Sequence, residues 1–245
     1  MNATLIKRSD LCNRDLRAMF GLLESQFEGA CFEGFCEDLS NKNWVLIFRD
    51  RPGGQVTGFT TIAHYLATFA DQRIQVVCSG DTVVSQEVRR QGSLARHWWH
   101  AVRQLASRYP GLPLYWLFIC SGFRTYRFLT SFAKQHFPSW RWPTPPRIQA
   151  LMHDLATARF GPQYLPSTGI VRLDRPMRLR DALRGIPDER KRDPDIAYFH
   201  RINPGHDEGD ELVCLALVDA SNLTPLGQRI AGKIDRVASD QIVGQ

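Results

Sequence analysis

Apolar residues along this chain switch between two periods, and the switches mark its elements. Leu16, Met19, Phe20, Leu23 and Phe27 follow a helical spacing, which predicts one or two helices within residues 10 to 40, the second in a Gly-punctuated run rich in Phe and Glu. WVLIFRD from Trp44 and QVTGFTTIAHY from Gln55 flank RPGG, the pattern of a hairpin. IQVVCSGDTVVS from Ile74, rich in β-branched residues, predicts a third strand. After the charged turn QEVRRQGS, Leu94, Trp98, Ala101, Val102 and Leu105 draw one apolar stripe on a helix that stops before Pro110. LPLYWLFICS is continuously apolar and reads as a strand covered on both faces. A helix over Phe123 to His136, ended by Pro138, follows.

This order predicts an α/β (α+β layered) domain with a parallel pair of strands near its centre. At Trp140 the character changes to the Pro-rich connector WRWPTPP, followed by a helix around Ile148 to Phe160 and then loops. ELVCLALVD from Glu211 is again a strand, and Thr224 to Val237, with Pro225 at a tolerated early position, is a closing helix. The expected organisation is a core over 1–140, an Arg- and Pro-rich insertion or substrate cap over 141–205, and a strand and helix over 206–245 that complete the core.

Composition narrows the chemistry. With 245 residues, 43% of them apolar, the chain can bury a core without staples. The N-terminal stretch lacks the apolar region of a signal peptide, and LYWLFIC is too short to span a bilayer; the expectation is a soluble cytoplasmic protein without a membrane span. The cysteines, Cys12, Cys31, Cys36, Cys78, Cys120 and Cys214, form no C-x-x-C pair, so neither a disulfide framework nor a metal is expected. H-E-x-x-H, G-x-x-x-x-G-K-[ST] and G-x-S-x-G do not occur. A formal net charge of +6 favours polyanionic partners. Residues 147 to 201 carry 11 Arg or Lys against 7 Asp or Glu, which fits either a docking surface or a solvated face with internal Arg–Asp pairs.

EVRRQGSL lies between a strong strand and a strong amphipathic helix. Free N–H groups at a helix N-terminus, a glycine that permits close approach, and neighbouring arginines suit a phosphate cradle, the alternative being an ordinary charged turn. The combination strand, V-x-x-x-x-R-x-x-G, helix, carried here by Val84, Arg89 and Gly92, resembles the cofactor-binding motif of the GNAT superfamily of acyl-CoA-dependent N-acyltransferases. The element order from Leu16 to Pro138 and the strand GFTTI at Gly58 to Ile62 resemble that family too. Where the family usually has R-x-x-G-x-G or R-x-x-G-x-A, this chain has Leu94 last, and Arg90 stands where another glycine is common.

The resemblance implies a GNAT-like mixed, centrally splayed sheet flanked by helices, with a C-terminal extension, and acyl-CoA (acetyl-CoA or longer) as co-substrate. It places the backbone of Thr82, Val83, Val84 and Ser85 along the pantetheine arm, and the amides of Val88, Arg89, Arg90, Gln91, Gly92, Ser93 and Leu94 on the pyrophosphate, with Arg96 as a further cation. Ser121 stands where the family has an asparagine, and Tyr126, the only phenol on the following helix, is the candidate general acid. Asp81, Glu28, Glu33 and Glu37 are candidate bases, with His64, His97 and His100 as alternatives. The acceptor is then a small-molecule or carrier-bound amine. An acyl carrier protein or an aminoacyl-tRNA is an alternative donor, and a domain that binds acyl-CoA as a signal without transferring anything is a third reading.

Overall fold

The computed structural model describes residues 2–85, 88, 93–180 and 183–232. The N-terminal half contains β1 (Asn2–Lys7), α1 (Asn13–Gln26), β2 (Phe27–Glu28), α2 (Phe32–Ser40), β3 (Trp44–Arg49), β4 (Val56–Phe69), β5 (Gln72–Val84), α3 (Ser93–Ala106) and β6 (Leu114–Cys120). The rest adds α4 (Phe123–Phe132), α5 (Pro146–Phe160), β7 (Tyr164–Leu165), β8 (Ile170–Val171), β9 (Arg178–Leu179), α6 (Pro194–Ile202) and β10 (Glu211–Leu217). Residues 225–232 are helical, within the expected closing helix, whose remainder lies outside the described residues.

Eight strands form one sheet in the order β1-β3-β4-β5-β6-β10-β8-β7. All the pairs are antiparallel except β5 with β6, which are parallel and joined through α3. This is the mixed α/β architecture with a central parallel pair that the sequence pattern predicts. The segment 141–205 is not separate from it, because α5 packs on the sheet and β7 and β8 extend its edge.

Alternation along β5 divides the core. Val77 and Val84 face one side, where α3, α4 and α6 pack with Trp98, Leu105, Leu129 and Phe199. Ile74, Val76 and Cys78 face the other, covered by α5 through Leu151 and Leu155. That second face has a separate apolar cluster where Met19 and Leu23 of α1 and Phe35 and Leu39 of α2 cover Val45, Ile47, Phe59 and Val83.

Two departures from the sequence reading have local causes. β4 and β5 form one long hairpin closed at Ala70 and Asp71, with φ of 48° and 61°. Ala70 is not a left-handed turn former and Asp71 carries no glycine beside it, which hid the turn from the sequence. Asn at 70 with Gly at 71 suits such a turn, so Ala70→Asn/Asp71→Gly is expected to raise stability by about 1 kcal/mol, read as a higher urea midpoint at unchanged m-value. The helix expected to reach His136 stops at Phe132, because Ala133 bridges Leu223, the Lys134 N–H donates to Asn222 O and Phe137 pairs with Leu215 on β10.

Candidate active site

The central parallel pair is joined over only part of its length. β5 and β6 are in register from Gln75 opposite Leu114 to Ser79 opposite Phe118. Beyond that point β5 continues to Val84 against β4, while β6 continues to Cys120 against β10. The two strands therefore part at their C-terminal ends, the place where open α/β sheets bind ligands. A surface cavity of about 350 Å³ lined by Gln75, Arg103, Tyr109, Pro113 and Asp219 lies at their opposite, N-terminal ends. Its inner wall is structural: Gln75 Nε2 donates to the carbonyls of Ala106, Tyr109 and Leu112, and Gln75 Oε1 meets His64 Nε2 at 2.9 Å.

A bulge sits where the strands part. Thr60 is opposite Thr82 and Ile62 opposite Ser79, so Gly80 and Asp81 together face Thr61 alone. Gly80 is required there, because a Cβ on it would lie 2.4 Å from both Lys42 Cε and Thr61 Oγ1. Past the bulge, the Ser85 N–H donates to Thr57 O on β4. By the alternation of an antiparallel ladder, Thr82 and Val84 turn their N–H and C=O groups away from β4 and toward the gap. Gln26 Nε2 occupies Val84 O at 3.3 Å, which leaves the Thr82 amide edge and the Val84 N–H facing the opening.

The first face of the opening is apolar and closed. Ser79 Oγ accepts from Trp98 Nε1 at 3.2 Å and from Trp116 Nε1 at 2.9 Å, and Trp116 stacks on Phe118 with centroids 4.3 Å apart. The second face is polar, because a strip of charged groups separates its two apolar clusters. Lys42 Nζ donates to both Asp38 oxygens at 2.7 Å, and its side chain is only 5% exposed. Burial and the Asp38 charge push the Asp81 carboxyl up to about 7, against the pull of Lys42. Glu211, at the head of β10, is pushed up to about 8 by burial and by Asp81 and Asp38, again opposed by Lys42. Arg159 of α5 closes the strip; its Nη2 donates to Asn41 O at 2.9 Å, and it lies beside Cys78, whose thiol burial pushes up. Carboxyls held near neutrality beside an open strand edge can exchange protons at physiological pH.

Of the residues singled out in the sequence, Asp81, Thr82, Val83 and Val84 meet here. Val88 is buried and Leu94, in the first turn of α3, is half-buried, whereas Arg89, Arg90, Gln91, Gly92 and the side chain of Ser93 lie outside the described residues. Ser121 follows the end of β6. Glu33 and Glu37 are exposed on α2, and Glu28 pairs with Arg184 at 2.9 Å. His97 stands edge-on to Phe48, and Trp98, Trp99 and Phe35 are core residues.

Tyr126 does not fit the general-acid role. It is fully buried, its hydroxyl donates to Pro138 O at 2.9 Å, and its ring packs against Phe199 and His136. Burial raises its pKa far above the ordinary phenol value. Tyr126→Phe is accordingly expected to cost about 1 kcal/mol of stability, the worth of one hydrogen bond, and to leave any catalytic rate within about twofold, a margin under 0.5 kcal/mol; a paired melt and rate measurement checks both.

Asp38, Lys42 and Glu211 were not singled out in the sequence. Asp38 and Lys42 look like an ordinary surface i,i+4 helix pair. Glu211 carried a usable signal: it is in phase with Val213 and Leu215, so it is a carboxylate on the buried face of its strand.

No family model matches the chain, and no curated protein matches it. Solved structures do. A conserved protein of Enterococcus faecalis V583 is 16% identical, with 54% of this chain and 33% of that protein covered and a TM-score of 0.39, so this chain spans a third of its length. A GNAT family N-acetyltransferase of Escherichia coli, solved with CoA, is 18% identical over 53% of this chain and 68% of its own, with a TM-score of 0.38. Arabidopsis thaliana NAA60, solved with a bisubstrate analogue, is 17% identical over 55% and 87%, with a TM-score of 0.39. The mixed sheet of this chain, with its bulged and splayed central parallel pair and flanking helices, is the arrangement that the sequence resemblance implies.

Proposed function

We propose that this chain is a divergent GNAT-superfamily acyltransferase that moves an acyl group from acyl-CoA to an amine by direct attack in a ternary complex. The observation that carries this reading is the strand edge at Thr82 and Val84, turned into the gap between β5 and β6 and ending on the acidic strip. Amide groups on such an edge suit the amides of a pantetheine arm, as a strand suits an added strand. The predicted phosphate cradle, residues 88–94, follows β5 directly. An arm running from the cradle back along β5 brings its thioester to the bulge at Gly80 and Asp81.

Bound acyl-CoA supplies an activated carbonyl; the chain's residues do the rest. Asp81, with its carboxyl near 7, takes the proton that the amine sheds as nitrogen bonds to the carbonyl carbon and the C–S bond breaks. The leaving thiolate takes that proton back from Asp81 and CoA departs as the thiol, so acyl-CoA and amine give amide and CoA. The Trp98, Trp116 and Phe118 wall keeps water from the opposite side of the opening. The burial of Tyr126 favours a second reading, in which the cleft holds an acyl-CoA without turning it over.

Thermal-shift and mass-spectrometric screening against acetyl-, malonyl- and long-chain acyl-CoAs tests the proposal. Stabilisation by at least one of them, with thiol release once amines are added, is expected. Stabilisation without thiol release favours the binding-only reading, and no stabilisation by any of them rejects both.

A further inference from the structure

The acidic strip contains more carboxylates than one proton transfer needs. Asp38 is spent on Lys42, which holds both of its oxygens. Arg159 is turned to Asn41 O and Cys78. Asp81 and Glu211 are left without an ion-pair partner among the described residues, one on β5 and the other on β10, with β6 between them. Thr61 Oγ1 adds an independent sign of an unfilled role: it is fully buried, has no hydrogen-bond partner and is aimed at the bulge beside Asp81. A buried hydroxyl oxygen left unmatched costs stability unless something donates to it.

An anionic acceptor would hold both carboxyls un-ionised at this place, whereas an acceptor with two ammonium groups would let both ionise and answer each with a cation. The separation suits a short molecule, since Glu211 on β10 lies near enough to Asp81 on β5 for the Asp81 charge to raise its carboxyl, across the opening beyond the last β5–β6 pair, Ser79 with Phe118.

Resting on the acyl-transfer reading of this cleft, we propose that the acceptor is a short linear diamine, with one nitrogen acylated beside Asp81 and Thr61 and the other held as ammonium by Glu211. In the step, the ammonium beside Asp81 gives one proton to Asp81 and on to solvent; the free amine nitrogen then bonds to the acyl carbon, the C–S bond breaks, and the nitrogen's second proton passes through Asp81 to the leaving sulfur, so CoA leaves as the thiol. The ammonium on Glu211 is unchanged throughout. Glu211 is thus the residue that selects the acceptor.

The full-length protein is assayed with acetyl-CoA for thiol release, with the acylated product identified by mass. Three acceptors share a four-carbon chain: the α,ω-diamine, butylamine and the ω-amino acid. The diamine is expected to exceed butylamine at least tenfold in kcat/KM, about 1.4 kcal/mol of differential binding, and the amino acid is expected to be the poorest. In Glu211→Gln the diamine-to-butylamine ratio falls toward one, mainly through a higher KM for the diamine. Equal rates for diamine and butylamine in the unsubstituted protein overturn the inference while leaving acyl transfer standing. Thiol release with none of the three, nor with any other amine, defeats the acyl-transfer reading itself. The unsubstituted protein's ratio decides the matter even if the Gln variant does not fold.

Discussion

Asp81→Asn lowers kcat/KM for acyl transfer by about 100- to 10,000-fold, the usual contribution of a positioned general base, and at the same time makes the protein harder to melt above neutral pH. The two effects have one origin. In the folded chain the Asp81 carboxyl sits at about 7, against 3.8 when free, because burial and the Asp38 charge oppose its ionisation. The native state therefore holds this proton more tightly than the unfolded state does. The stability it contributes is fully present below about pH 4 and is lost as pH rises through 7. Asparagine carries no charge to bury, so the variant's advantage grows between those limits, is complete above them and vanishes in acid. Melting temperatures across pH 4 to 9, beside rates in the same buffers, check both halves. A variant that is inactive and also less stable at pH 8 would mean that Asp81 holds the bulge together and does not act as a base. Since the Asp81 charge pushes the Glu211 carboxyl up, the activity profile reports the pair's protons and not one residue's.

The second large effect concerns stability alone. Asp195, 2% exposed on α6, accepts from Arg141 Nη1 at 2.6 Å, Arg127 Nη1 at 2.8 Å and Trp140 Nε1 at 2.7 Å. It ties the Pro-rich connector and α4 to α6. Burial pushes its carboxyl up, but the hydrogen bonds from Arg141 and Trp140 outweigh burial and hold it below the ordinary value. Asp195→Ala leaves the Arg141 guanidinium and the Trp140 indole N–H unmatched and leaves Arg127 only Asp193 and Thr130, and is expected to cost about 3 kcal/mol, a fall in melting temperature of about 6–12 °C for a chain of this size. The sign with pH is opposite to that of Asp81: this stability is present above the ordinary carboxylate range and is lost as pH falls through the depressed value. The gap between variant and parent should therefore narrow in acid; a constant gap down to pH 2 would contradict the charge-based account.

The core strands were legible because their chemistry is local. WVLIFR, VTGFTTI, IQVVC and LYWLFIC have the β-branched and aromatic composition of buried strands, and each forms one. The hairpin joining β4 to β5 was not legible, since its turn uses Ala70 and Asp71 in a conformation the sequence does not advertise. The edge strands β7 and β8, two residues each, are defined by their partners and not by their own pattern. The basic stretch beyond residue 147 fitted either a docking surface or internal pairs, and Arg172, Arg178, Arg184 and Lys191 are matched by Asp210, Glu208, Glu28 and Asp188.

The site was half legible. Asp81 stood out as a carboxylate on the third strand that could reach the cleft; it lies in a β-bulge with Gly80. Glu211 lies 130 positions further along the chain and joins Asp81 only through the order of strands in the sheet. Tyr126 failed because one helix offered one phenol, and nothing in the sequence revealed that Pro138 O takes its hydroxyl.

The account stands on acyl-CoA lying in the opening between β5 and β6, and a crystal structure of the protein grown with CoA measures that directly. It should show the pantetheine arm along Thr82 to Val84, with its amides within about 3.2 Å of that strand edge and its sulfur at the Gly80–Asp81 bulge. CoA bound instead in the cavity at Gln75, Arg103 and Asp219, or not bound at saturating concentration, would contradict it.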